Sequence, residues 1–219
     1  MCFSATASFT SGVILAVAGV VSVKQAQKSP ETLFAAIPLI FSIQQFIEGF
    51  LWLTLKGKMD PQYQTILSYA FIFIAQVIWP FWVPLSISLL EKKPERKKIF
   101  LILTGIGAGI SVTILYRMFL YPVTAAIENY HIAYHLHFPI VVRYLGASCY
   151  FIATVIPTFF SSVRRMRLLG VLILLSYIVA LVFYTKYAIS VWCFFSAAIS
   201  VVIYFIMRSV KNPPEIIPE

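Results

Sequence analysis

Long apolar runs broken by short polar or charged interruptions set the pattern of this chain. Seven runs approach the ~20 residues needed to cross ~30 Å of hydrocarbon. They lie at about 8–23, 32–55, 65–90, 99–121, 138–162, 168–186 and 188–208. Runs of this length are helical, because in lipid every backbone N–H and C=O must be satisfied within the segment. The pattern therefore predicts an all-α integral membrane bundle of seven transmembrane helices, one domain over 1–208, followed by a short proline-rich tail at 209–219.

Within the runs, spacing predicts packing. Pro80 and Pro84 should bend the third. Gly105, Gly109, Thr113 and Arg117 fall on one i, i+4 line of the fourth, whose small end should let another helix approach. Cys193, Ser196 and Ser200 form a small, slightly polar face that should point into the bundle.

Composition agrees with the pattern and charge orients it. A chain that is 60% hydrophobic and 11% charged, with mean hydropathy +0.89, is too apolar for a soluble domain. No cation precedes the first run, whereas Lys24 and Lys28 follow it, the order of an uncleaved helix with its N-terminus outside. Lys92, Lys93, Arg96, Lys97, Lys98, Arg164, Arg165, Arg167, Arg208 and Lys211 fall at the same end of the expected bundle. The opposite end holds Lys56, Lys58 and Lys186. The positive-inside rule then predicts a cytoplasmic C-terminus and a multi-pass protein of the inner (plasma) membrane. The net charge of +9 thus has a topological cause and calls for no nucleic-acid partner. Oligomeric state stays open.

Against so apolar a background, polar residues stand out. Gln45, Glu48 and Trp52 lie at i, i+3 and i+7 in the second run with Gln44 beside them, and a carboxyl inside a span is expected to serve a function or a partner. All three histidines fall in Glu128–His137, ENYHIAYHLH. Read as a short amphipathic helix at the outer interface, this segment puts Glu128, His131 and His135 on one stripe with metal-ligand spacing. The expected site is a polar pocket in the outer half of the bundle. There His131, His135 and a third group, Cys2 or Glu48 foremost, would hold zinc. Glu48 or Glu128 would act as general base, and Arg117 and Arg143 would stabilise developing negative charge. That describes a zinc-dependent hydrolase or hydratase acting on a small molecule or a lipid. The alternative is a receptor or transporter that binds a small anionic or lipid ligand in the same pocket.

The opening MCFSATASF, together with FAAIPLIFSIQQFIEGFLWL (34–53), AQVIWPFWVPL (75–85), HIAYH (131–135) and SVWCFFSAAIS (190–200), resembles a family of uncharacterised prokaryotic multi-span membrane proteins that start the same way. The resemblance covers essentially the whole chain. It implies a membrane bundle and carries no activity.

Overall fold

A computed structural model of the chain describes residues 4–138, 140–163 and 165–211, with the side chains of 140–144 excepted. Cys2, the Arg143 side chain and most of the 209–219 tail lie outside the described residues. Helix α1 (Ala5–Gln25) begins where the Ser4 hydroxyl accepts from the Ala7 amide at 3.2 Å, satisfying one of the free N–H groups of its first turn. The next rod is α2 (Ser29–Ala35) and α3 (Ile37–Leu55), interrupted at Ala36. Pro38 supplies no N–H there, and the Trp82 indole donates to the Leu33 carbonyl beside the break at 3.0 Å.

The third rod is the least regular. Helix α4 (Tyr63–Ile72) runs into a π-helical turn, Phe73–Ile78, and resumes as α5 (Trp79–Leu90). In π spacing the amide at position 80 would bond the carbonyl of residue 75, but Pro80 has none. The Tyr150 hydroxyl donates to that Ala75 carbonyl at 2.7 Å, and Ser111 donates to the Val77 carbonyl at 2.6 Å. Pro84 likewise leaves the Pro80 carbonyl without a partner in its own helix, and this oxygen lies against Gly107 of α6 (Pro94–Leu120). A Cβ at Gly107 would collide with it. Gly105 and Gly109 face open space, so the close approach of α6 falls at Gly107 and not on the line expected from the sequence.

Helices α7 (Ile140–Phe160), α8 (Met166–Phe183), α9 (Ala188–Ser200) and α10 (Val202–Lys211) complete the bundle, with a short 3₁₀ turn, Thr185–Tyr187, leading into α9. Six stretches are long and apolar enough to cross a membrane: Ala5–Gln25, Ser29–Leu55, Tyr63–Leu90, Pro94–Leu120, Met166–Phe183 and Thr185–Lys211. Large apolar side chains face outward along them, among them Val17, Leu101, Val182 and Phe119, the last 81% exposed. Such a surface suits hydrocarbon and not water. Gln44, Gln45 and Glu48 lie inside.

The connection from α6 to α7 corrects the helical expectation for the histidine segment. It is an antiparallel hairpin, β1 (Val123–Glu128) paired with β2 (His131–Leu136), so the chain is mostly but not wholly α. Asn129 and Tyr130 take positive φ values of 45° and 64°, the pattern of a two-residue type I′ turn. Val123, Ala125 and Ile127 pair with Leu136, Tyr134 and Ile132 on an apolar face. That face packs on Leu51, Trp52, Phe71 and Ile72, with the Tyr134 ring stacked on Phe71 at 4.5 Å. Thr124, Glu128, His131 and His135 share the other face. Strands are tolerated at this depth because protein covers them: Gln64 donates to the Ala125 carbonyl at 2.9 Å, and the Val123 amide donates to the Tyr69 hydroxyl at 3.3 Å. Tyr130 pays for its left-handed backbone with steric strain of roughly 1 kcal/mol. Tyr130→Gly should accordingly raise stability by up to about 1 kcal/mol in equilibrium unfolding, and an equal loss would show that the exposed ring matters more than the backbone.

At the other end, where the basic loops gather, Glu91 joins two connections. Its carboxylate accepts from the Ser162 amide at 2.8 Å and hydroxyl at 2.6 Å, and from the Lys92 and Lys93 amides at 3.1 and 3.0 Å. Arg96 donates to the Phe160 carbonyl at 2.9 Å alongside. Burial by itself raises the Glu91 carboxyl. The hydrogen bonds from the Ser162 hydroxyl and from the Lys93 and Ser162 amides, with the Arg96 charge, outweigh it and hold the group below its ordinary value.

Candidate functional site

Helix α3 carries its polar face into the centre of the bundle, as the spacing of Gln45, Glu48 and Trp52 predicts. Gln44, Gln45 and Glu48 are each 0% exposed. Ser190, in the first turn of α9, donates to Glu48 Oε1 at 2.6 Å. Ser8 of α1 and Gln45 face the same carboxyl, but neither closes a hydrogen bond of good geometry. The Trp79 indole donates to Gln44 Oε1 at 3.0 Å, which fixes the amide orientation, because a flipped amide would oppose two donors. Gln44 Nε2 then faces the Cys193 sulfur, a weak acceptor, without closing a hydrogen bond of good geometry. Trp52 Nε1 is also buried without a partner, while Lys56 lies over its ring, 4.9 Å from the centroid.

This layer abuts a cavity of about 60 Å³ that extends toward the basic end. Trp79, Tyr150 and Cys193 line the end nearest Gln44, and Phe34, Leu169 and Ile203 the far end. The expected pocket was to open in the half nearer the hairpin. In that half the apolar face of the hairpin packs on Leu51, Trp52, Phe71 and Ile72.

The hairpin also changes the geometry of the histidines. Residues four apart on a strand are ~13 Å apart, against ~6 Å on a helix, whereas two nitrogens bound to one zinc lie within ~4 Å of each other. His131 donates from Nδ1 to the Asn129 carbonyl at 2.7 Å, and its ring stacks on Tyr187 at 4.7 Å. His135 pairs with Glu128 at 3.1 Å on the surface. Among the described residues no group of three or more His, Cys, Asp and Glu side chains could hold a metal ion. Arg117 is half-buried near the hairpin end of α6, and among the described residues no ion pair or hydrogen bond joins it, Glu128 or either histidine to Glu48.

Sequence reasoning missed Ser190, Ser8 and the inward position of Trp79. Ser190 had a legible sign: it precedes Cys193 by three residues, on the face that continues to Ala197 and Ser200.

Fold and site together define a membrane-embedded helical bundle with a buried, incompletely bonded polar layer above an apolar cavity. The chain belongs to DUF6629, a family of unknown function, whose pattern matches residues 1–216. No curated protein and no solved structure matches it.

Proposed function

We propose that this protein is a receptor or transporter that binds a small molecule or lipid inside the bundle, at the layer formed by Gln44, Gln45 and Glu48. It does so as a seven-span protein of the plasma membrane, with α7 as the fifth span, the N-terminus outside and the basic end in the cytoplasm. The observation that carries the reading is the Gln45 side chain, fully buried with neither polar atom in a good hydrogen bond. A buried amide left in that state costs about 1–3 kcal/mol, and natural cores keep such groups mainly where something else bonds them. Glu48 Oε2 and Trp52 Nε1 add to the deficit in the same layer.

A zinc hydrolase would need its ion held away from the paired histidine spacing, through Glu48 and residues outside those described, and no observation favours that arrangement. An anionic ligand held by Arg117, Arg143 and Lys186 is not favoured either, since Arg117 makes no bond to the buried layer and Lys186 is exposed.

The test is native mass spectrometry of protein extracted in mild detergent. Wild type should carry a bound small molecule or lipid that Gln45→Leu loses, while Gln45→Leu melts at the same or a higher temperature, as expected when a polar group serves binding rather than folding. Wild type free of any bound molecule, with Gln45→Leu simply more stable, would mean that the layer is no binding site.

A further inference from the structure

At the basic end the structure ties separate parts of the chain together. The Glu91 carboxylate joins the α5–α6 connection to the α7–α8 connection through Ser162. Arg96, in the first turn of α6, donates from Nη1 to the Phe160 carbonyl at the end of α7 at 2.9 Å. Arg165, just before α8, donates from Nη1 to the Phe205 carbonyl of α10 at 3.2 Å. Each guanidinium is thus anchored to a neighbouring helix through one arm of its fork, and the rest of the fork stays available to other acceptors.

These anchors fix position without neutralising charge. A backbone carbonyl holds a guanidinium as a dipole and not as a counter-ion, and among the described residues no cation at this end forms an ion pair. Eleven described cations lie here, against Glu31, Glu91 and Glu95. Two of those carboxylates are already occupied, Glu91 by its four donors and Glu31 by the amides of Gln27 and Lys28 at 2.8 and 3.3 Å. Glu91 acts on Arg96 through space and offsets part of that one charge.

The depth of these groups is that of lipid phosphates. Helix α6 has 27 residues, ~40 Å at 1.5 Å per residue, against a hydrocarbon core of ~30 Å. Its first turn, with Arg96, therefore emerges into the headgroup layer. Lys92, Lys93, Arg167 and Arg208 are exposed at the same end. Helices α6 and α8 also begin there without a side-chain cap, so their first-turn amides add to the positive field.

We infer that this end of the bundle is a docking face for anionic phospholipids of the adjoining leaflet. Phosphate oxygens take the remaining N–H groups of Arg96 and Arg165, and Lys92, Lys93, Arg167 and Arg208 supply the surrounding charge. Charge complementarity carries the assignment. A guanidinium fork suits two phosphate oxygens at once, and each cation at such a surface favours anionic lipid about fivefold. A zwitterionic lipid offers the same phosphate but brings its own ammonium group into the cationic field. The face is separate from the layer around Gln45 and does not depend on a ligand there.

The test gives full-length protein in dodecyl maltoside equal amounts of dioleoyl phosphatidylglycerol and dioleoyl phosphatidylcholine, and reads the retained lipid by native mass spectrometry. Wild type should prefer phosphatidylglycerol by at least about tenfold. Lys92→Gln/Lys93→Gln removes two exposed charges whose side chains make no bond, so it should melt as wild type does without added lipid and lower the preference about fivefold or more. Arg165→Gln should lower it as well, and so should raising the ionic strength from about 0.15 M to about 1 M. Equal retention of the two lipids, or a preference that these substitutions and salt leave intact, would overturn the docking face. If inorganic phosphate in excess, without lipid, raised the melting temperature as much as phosphatidylglycerol does, the face would belong to a soluble phosphate and the lipid assignment would fall. Gln45→Leu should keep the full preference, so failure of this face and failure of the internal binding site are read separately.

Discussion

Gly107→Ala should destabilise the protein by about 3 kcal/mol or more, the upper range for overpacking, because the new methyl group meets a main-chain oxygen that cannot rotate away. The intrinsic helix preference runs the other way: alanine is favoured over glycine by ~1 kcal/mol in a helix interior. The two effects are separated by a neighbour. Gly105→Ala meets nothing and should be neutral or stabilising by up to ~1 kcal/mol. Unfolding in mixed micelles, with both variants compared to wild type, checks the pair. If Gly107→Ala matched Gly105→Ala, then α5 and α6 would not be held at the separation that the Pro80 carbonyl implies.

Glu91→Gln should cost on the order of 1.5–3 kcal/mol, the range for hydrogen bonds to a charged acceptor, because one carboxylate serves four donors from two loops. Its pH dependence has a definite sign. The folded-state value lies below the ordinary 4.5, so the folded protein binds this proton more weakly than the unfolded chain does. The stabilisation is complete above about pH 4.5 and is lost as pH falls through the lower, folded value. Melting temperatures of wild type and Glu91→Gln should therefore differ at about pH 7, and the difference should shrink as pH falls below about 4.5. A constant difference across that range would mean that the substitution acts through shape and not charge.

What the sequence disclosed about the fold depended on how local the cause was. Spans are set by hydropathy summed over some twenty residues, and six of the seven expected runs coincide to within a few residues with helices long and apolar enough to cross a membrane. The inward face of α3 was legible as well, because Gln45, Glu48 and Trp52 follow helical spacing inside a span. The histidine segment was misread because i, i+3 and i+7 spacing suits both a helix face and one face of a tight hairpin: residues 128 and 131 stand opposite each other across the turn, and 131 and 135 share a strand face. A period of two was present in VTAAIENYHIAYHL, with Asn129 suited to the left-handed turn. The π turn and the Gly107 contact could not be read in the same way. Both involve missing proline amides, at Pro80 and Pro84, whose orphaned carbonyls are met by residues far along the chain, Tyr150 and Gly107.

The hairpin constrains the order in which the molecule can be built. Its strands lie between α6 and α7, yet the groups that cover them come from both sides in sequence: Gln64 and Tyr69 are made earlier, while Tyr187, which stacks on His131 and accepts from Asn129, is made some fifty residues later. During synthesis the strands must therefore wait, half covered, at the membrane surface until α8 has crossed and the 3₁₀ turn arrives. The hairpin end of the bundle closes last, and the polar layer around Glu48, which also needs Ser190 from α9, is sealed from water in the same final step.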